Sequence, residues 1–148
     1  MDFTIKRFEE LTAAELYEII KERINVFIVE QNCTYHDCDG KDYKARHLQA
    51  KEGPRLAGYL RILPPGVSYA EASIGRVLVA QDFRRRGLGR SLMNLAIEYI
   101  LTEMKEKQIR ISGQAYLEKF YTSLGFQRVS DIYLEDNLPH IEMLYKLS

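Results

Sequence analysis

Between Val77 and Ser91 an apolar run, Val77-Leu78-Val79-Ala80, gives way to a basic turn holding Arg84, Arg85, Arg86 and Arg90 around two close glycines, Gly87 and Gly89. Leu88 and Ser91 complete the stretch, and apolar residues at helical spacing follow at once. A helix start exposes unpaired backbone N–H groups and a partial positive charge, which suits a phosphate or pyrophosphate. Glycine at 87 and 89 lets the backbone approach such an anion with no Cβ in the way. The arginines add charge-assisted hydrogen bonds. A dinucleotide fingerprint needs a third glycine at position 92, where Leu92 stands, and the Gly-Lys-Ser/Thr of a Walker loop is missing. The strand before the turn and the amphipathic helix after it separate this segment from a solvated arginine run.

Stepping outward, the elements that must hold this turn follow from periodicity. Phe3 to Phe8 reads as a strand. Thr12-Ala13-Ala14-Glu15 is a capping box with Leu11 and Leu16 as its hydrophobic staple, and the apolar spacing of Leu16, Ile19, Ile20, Val26 and Phe27 extends that helix to about Phe27. Residues 30–44 are polar and read as an irregular loop. Ala45 to Ala50 and Leu56 to Leu63 form two strands joined at Glu52-Gly53-Pro54. Ser73 to Ala80 is apolar enough for a central strand covered on both faces. A second helix carries Leu88, Leu92, Leu95, Ala96, Tyr99, Ile100 and Met104 on one stripe. Gln108 to Gly113 is a strand, Tyr116 to Leu124 a short helix closed by Gly125, and Gln127 to Tyr133 and Ile141 to Lys146 a final strand pair. The order β-α-β-β-β-α-β-α-β-β predicts an α/β fold, a mixed, mostly antiparallel sheet flanked by helices.

The 148 residues carry no repeat or Pro/Gly linker, so residues 1–148 are expected to form a single domain. The 21 Lys+Arg balance the 21 Asp+Glu, which excludes a generally basic nucleic-acid binder; no aromatic platform is interleaved with the arginines either. No window approaches the roughly 18 apolar residues of a membrane span. With no cationic, apolar leader at the N-terminus, the expectation is a soluble cytoplasmic protein without nucleic-acid or membrane partners. Cys33 and Cys38 are too few for a disulfide framework. Cys33, His36, Cys38 and His47 depart from standard zinc spacing, and Asp37, Asp39 and Asp42 between them read as solvated loop charges, so no metal is expected.

The spacing Arg84-x-x-Gly87-x-Gly89 resembles the signature of the GNAT superfamily, the Gcn5-related N-acetyltransferases. Phe120-Tyr121-Thr122-Ser123-Leu124-Gly125-Phe126 is similar to that superfamily's second block. Phe27 to Cys33, Ser73 to Val77 and Pro139 to Met143 resemble the ElaA-type branch more specifically, and the likeness covers nearly the whole chain. The resemblance implies the GNAT acyl-CoA N-acyltransferase fold and direct transfer of an acetyl group from acetyl-CoA to a primary amine. It places the pantetheine arm along Val77, Leu78 and Val79, with a backbone N–H near Val79 facing the developing oxyanion. The pyrophosphate would lie on Arg84, Arg85, Arg86, Gly87, Leu88, Gly89, Arg90 and Ser91. Gln114 would touch the pantetheine, besides capping the short helix after it. Tyr121 falls on the general-acid position, where a phenol of pKa about 10 can protonate the departing thiolate.

For a general base the sequence offers Glu30, His47, Glu71, His140 and Glu142 without choosing among them. Asn32 and Cys33 would border the acceptor site by the same resemblance. A non-catalytic sensor of acetyl-CoA would keep the glycine-arginine turn and dispense with Tyr121. A small-molecule or protein amine remains open as acceptor, and pairing of the final strands could make a homodimer.

Overall fold

Strand pairing divides the chain into two ladders that barely touch. The computed structural model describes residues 1–147. The strands are β1 (Asp2–Arg7), β2 (Arg46–Glu52), β3 (Arg55–Leu63), β4 (Ser73–Val79), β5 (Gln108–Gln114), β6 (Gln127–Arg128), β7 (Tyr133–Glu135) and β8 (Leu138–Lys146). The helices are α1 (Ala13–Arg23), α2 (Leu88–Thr102) and α3 (Glu118–Ser123). The first sheet runs β1-β2-β3-β4, antiparallel throughout; in the second, β8 pairs with β5 on one side and with β6 and β7 on the other. The sheets meet in one parallel bridge, Ala72 to Ile109, where the Arg110 N–H donates to the Ala72 carbonyl at 2.9 Å. From that point β4 and β5 diverge. No helix among the described residues is long and apolar enough to cross a membrane.

Alternation explains which faces close on each other. Leu48, Leu60 and Ile62 from the first sheet and Ile109, Ile111, Ile141 and Met143 from the second share one core with Leu92, Met93, Ala96 and Ile100 of α2. Burying each of the leucine, isoleucine and methionine side chains contributes about 1.5–3 kcal/mol, so α2 holds together two ladders that hydrogen bonding joins at a single bridge. The mixed α/β fold with a mostly antiparallel sheet is as the sequence led us to expect. Three details differ. The most covered strand is β3; β4, expected to be covered on both faces, is the edge of its sheet and only partly buried. The segment read as a strand from Gln127 to Tyr133 forms only the short β6 and β7. The first helix ends at Arg23 rather than near Phe27, and the chain continues as a wide π-helical turn over Ile24–Glu30. Four of those seven residues are β-branched and crowd an α-helical turn.

The start of α1 is as the sequence implied: Thr12 Oγ1 accepts from the Glu15 N–H at 3.1 Å, and Glu15 Oε1 accepts from the Thr12 N–H at 3.0 Å. Glu15 does more than cap. Lys6, Gln49 and Lys51 of β1 and β2 all donate to its carboxylate at 2.8–3.1 Å, pinning the helix to the sheet. Burial alone would raise its pKa, but the bonds from Lys51, the Thr12 N–H, Lys6 and Gln49 outweigh burial and hold it well below the ordinary 4.5. A carboxylate with a depressed pKa stabilises the fold above its unfolded pKa, and that stabilisation is lost as pH falls. Glu15→Gln keeps the cap geometry and removes the charge. It should cost about 1–2 kcal/mol in urea denaturation near pH 7, with the difference from the native protein closing as pH falls below about 4.5.

Candidate active site

The edge of β4 is bent where it faces β5. Arg61 pairs with Gly75 and Tyr59 with Leu78, so Leu60 alone stands opposite Arg76 and Val77 in a β-bulge. Arg76 sits at φ +54, a left-handed conformation that costs a non-glycine residue about 1–2 kcal/mol. Its side chain offsets that strain. The Nε donates to Asp37 Oδ1 at 3.0 Å, an Nη donates to the Asp37 carbonyl at 3.1 Å, and the guanidinium lies 5.2 Å over the Tyr35 ring.

Asp37 belongs to a larger cluster. Arg23, at the end of α1, meets Asp37 at 2.8 Å and Asp42 at 2.7 Å; Arg61 meets Asp39 at 2.6 Å and Asp42 at 3.0 Å. The two arginine side chains are 1% and 4% exposed. Burial would raise the pKa of Asp39 and Asp42, yet the Arg61 and Arg23 guanidiniums hold both well below the carboxylate range. The expectation of solvated loop charges is therefore corrected: these aspartates face arginines from α1, β3 and β4. His47 also lies inside, its Nε2 against the Asp42 carbonyl at 2.9 Å and its Nδ1 against the Tyr59 hydroxyl at 2.6 Å. That pairing makes Nε2 the donor, and burial keeps the imidazole pKa below its ordinary value. Cys33 points to the Asp136 carbonyl and Cys38 is exposed, so the cysteines and His47 serve separate places.

Between β4 and β5 the divergence leaves a cavity of about 750 Å³. Val77, Leu78, Val79, Gln114 and Tyr121 line it, as do His36, Lys41 and His140. The Ala80 N–H donates to the Ala57 carbonyl of β3 at 2.8 Å. Alternation along an antiparallel ladder then turns the Val79 N–H the other way, toward the cleft. At the far end of β4 a second depression of about 230 Å³ opens over the start of α2, lined by Arg84, Arg85, Gly87, Leu88, Gly89 and Arg90. Gly87 is the N-cap at φ +74, with no side chain capping the helix. A Cβ on Gly89 would meet Val79 and Phe120 only at 3.8 and 4.0 Å.

The basic residues here divide their work. Arg84 folds back: its Nε donates to the Val79 carbonyl at 2.9 Å, and its two terminal nitrogens grip Glu30 at 2.5 and 2.7 Å. Arg90 donates to Ser123 Oγ at 2.9 Å and lies over Phe120, whereas Arg86 lies over Phe83, outside the depression. Arg85 is exposed at φ +66. The Leu88 side chain enters the core, and Ser91 Oγ turns to the Gly87 carbonyl.

Tyr121 packs between Phe120 and Phe126, only 7% exposed. Burial, with Tyr116 nearby, pushes its phenol up to about 12, so the group stays protonated at neutral pH. Gly113 of β5 makes the room: a Cβ there would lie 2.7 Å from the Tyr121 ring. Gln114 precedes a 3-10 turn, Ala115–Leu117, but forms no cap hydrogen bond. Among the base candidates, Glu30 is held by Arg84, Glu71 and Glu142 by Arg110, and His47 by its two partners. His140 lines the cavity, its Nδ1 donating to the Leu138 carbonyl at 2.8 Å and its Nε2 3.5 Å from Glu135. The sequence reading overlooked Glu135, Ser112 and Tyr69, all on the cavity wall; Glu135 and Ser112 meet across β8, and Tyr69 comes from the loop before β4.

A sheet split beside a capless helix start is the architecture of the GNAT acyltransferases. Residues 11–147 match the family described as Acetyltransferase (GNAT) domain, and the chain belongs to that family. It is similar to ElaA of Escherichia coli, 38% identical over 136 residues that make 90% of this chain and 89% of ElaA. The ElaA crystal structure matches with a TM-score of 0.90 over 99% of this chain and 100% of that one, at 34% identity. An acyl-CoA N-acyltransferase from Pseudomonas aeruginosa matches with a TM-score of 0.91 at 37% identity, over 98% of this chain and 99% of that one. A UPF0039 protein of Schizosaccharomyces pombe is 40% identical over 99% of this chain and 98% of its own length. The family and its acyl-transfer chemistry are thus those the sequence motifs implied.

Gly113→Ala should displace the Tyr121 ring, costing about 1–3 kcal/mol of stability by overpacking. Thermal unfolding combined with the near-ultraviolet tyrosine signal would register both effects.

Proposed function

We propose that this protein transfers an acetyl group from acetyl-CoA to a primary amine, with the cleft between β4 and β5 receiving the thioester. The observation that carries the reading is that this cleft and the depression over α2 share Val79 and Arg84 as wall residues, and in the depression first-turn amides and Gly89 offer a pyrophosphate seat beside Arg85 and Arg90. Arg84, engaged by Glu30 and Val79, acts by fixing the end of β4 and the turn after it. Val77, Leu78 and Val79 then present to the pantetheine amides a strand edge unpaired apart from the Val79 carbonyl that Arg84 holds, as an added strand would require.

The amine nitrogen attacks the thioester carbonyl, forming the C–N bond, while the Val79 N–H faces the oxyanion. Collapse breaks the C–S bond, and the thiolate takes its proton from Tyr121. Across the reaction the nitrogen releases two protons, one before attack and one on collapse. One replaces the proton given up by Tyr121, and the other leaves to solvent. A phenol whose pKa lies near 12 is a reservoir for that proton rather than a base.

Two variants test the reading. Gly89→Phe should leave the fold intact, since its side chain enters the depression, yet weaken coenzyme A by about 100-fold or more in calorimetry; unchanged affinity would remove the anion seat from α2. Tyr121→Phe should lower kcat by about 100-fold in a thiol-release assay with little change in acetyl-CoA affinity. Tight coenzyme A binding without turnover on any amine would instead identify a sensor of acetyl-CoA.

A further inference from the structure

Most charges on the cleft wall are neutralised by the protein itself. Glu30 is taken by Arg84, and Asp39 by Arg61 and Arg76. Among the described residues three are not: Lys41, Glu135 and Asp136. Lys41 Nζ donates to Ser68 Oγ at 2.8 Å and forms no ion pair. Glu135 accepts from Ser112 Oγ at 3.1 Å and has only the His140 imidazole, 3.5 Å away, as a prospective cation. Both line the 750 Å³ cavity, outside the depression over α2.

Lys41 and Glu135 also belong to one stretch of wall. Ser68, the partner of Lys41, is followed by Tyr69, and both line the cavity together with Ser112 and Glu135. Ser112 Oγ in turn hydrogen-bonds the Tyr133 hydroxyl. The wall of one cavity thus carries a lysine bound to a hydroxyl group, a carboxylate bound to another, and Asp136 as a second carboxylate. A carboxylate without a fixed cation attracts an ammonium; a lysine without a fixed anion attracts an acidic group and repels a second ammonium.

We infer that the acceptor is a primary amine bearing a carboxylate, its ammonium received at Glu135 and His140 and its acidic end at Lys41. The inference rests on the transferase reading above and narrows the acceptor to amino acids and peptides with a free carboxyl terminus. Unsubstituted polyamines are disfavoured, because their second ammonium would meet Lys41.

The test is an acetylation assay over amino acids and dipeptides, each paired with its carboxyl-terminal amide, with the products identified by mass. The native protein should acetylate the acids with the higher kcat/KM. Lys41→Met should lower the acid-to-amide ratio of kcat/KM by about 10- to 100-fold, a comparison in which differences in amine basicity cancel. Glu135→Gln should raise KM for acids and amides together. Equal or better use of amides by the native protein, or a ratio unmoved by Lys41→Met, would overturn the inference while leaving acyl transfer intact. Acetylation of no amine, with coenzyme A still bound, would overturn the transferase reading and this inference with it.

Discussion

Three guanidinium groups held against three carboxylates, largely out of water, are the constraint on which the cleft depends. Arg23, Arg61 and Arg76 come from a helix end, a central strand and a bulged edge strand, and Asp37, Asp39 and Asp42 from one loop. Desolvating charges is costly, and such a cluster holds together only when every partner is present. Its value here is geometric. It draws the loop over β3 and β4 and holds the left-handed Arg76 of the bulge in place on the cleft-facing strand.

A second clasp works at the other end of the same strand. The π-helical turn projects Glu30 to Arg84, and Arg84 also holds the Val79 carbonyl. A regular α-helix through this segment would rotate the residues after Arg23 by a different angle. The β-branched run that widens the helix is therefore tied to the position of the β4 terminus. Arginines that look alike in a basic turn end up with unlike duties, one as a strut and others facing the depression.

The fold was legible in the sequence wherever periodicity was strong. The capping box at Thr12, the apolar stripe of α2 and the alternating pair β2 and β3 all form close to where spacing put them. At the candidate site the sequence pointed to the glycines and to Tyr121, and these lie on the walls of the depression and the cavity. What local pattern cannot show is pairing at a distance. Asp37, Asp39 and Asp42 look solvated until Arg23, Arg61 and Arg76 arrive from 14 to 39 positions away. Glu135 and Ser112 become neighbours only through the register of β5 with β8 and of β8 with β7. The edge character of β4 was likewise hidden, since an apolar run reads the same whether a strand or a cleft lies beside it.

The single bridge at Ala72 and Ile109 bears on how the protein behaves in company. Two long strands, β4 and β5, end up with unsatisfied ladder edges turned toward one another inside the molecule. Such edges are what templates intermolecular sheet growth when they lie open to bulk solvent. The outward edges are poor templates: β1 carries Lys6 and Arg7, while β6 and β7 span only two and three residues. The same opening that is proposed to receive the thioester thereby shelters the molecule's most adhesive backbone from its own copies.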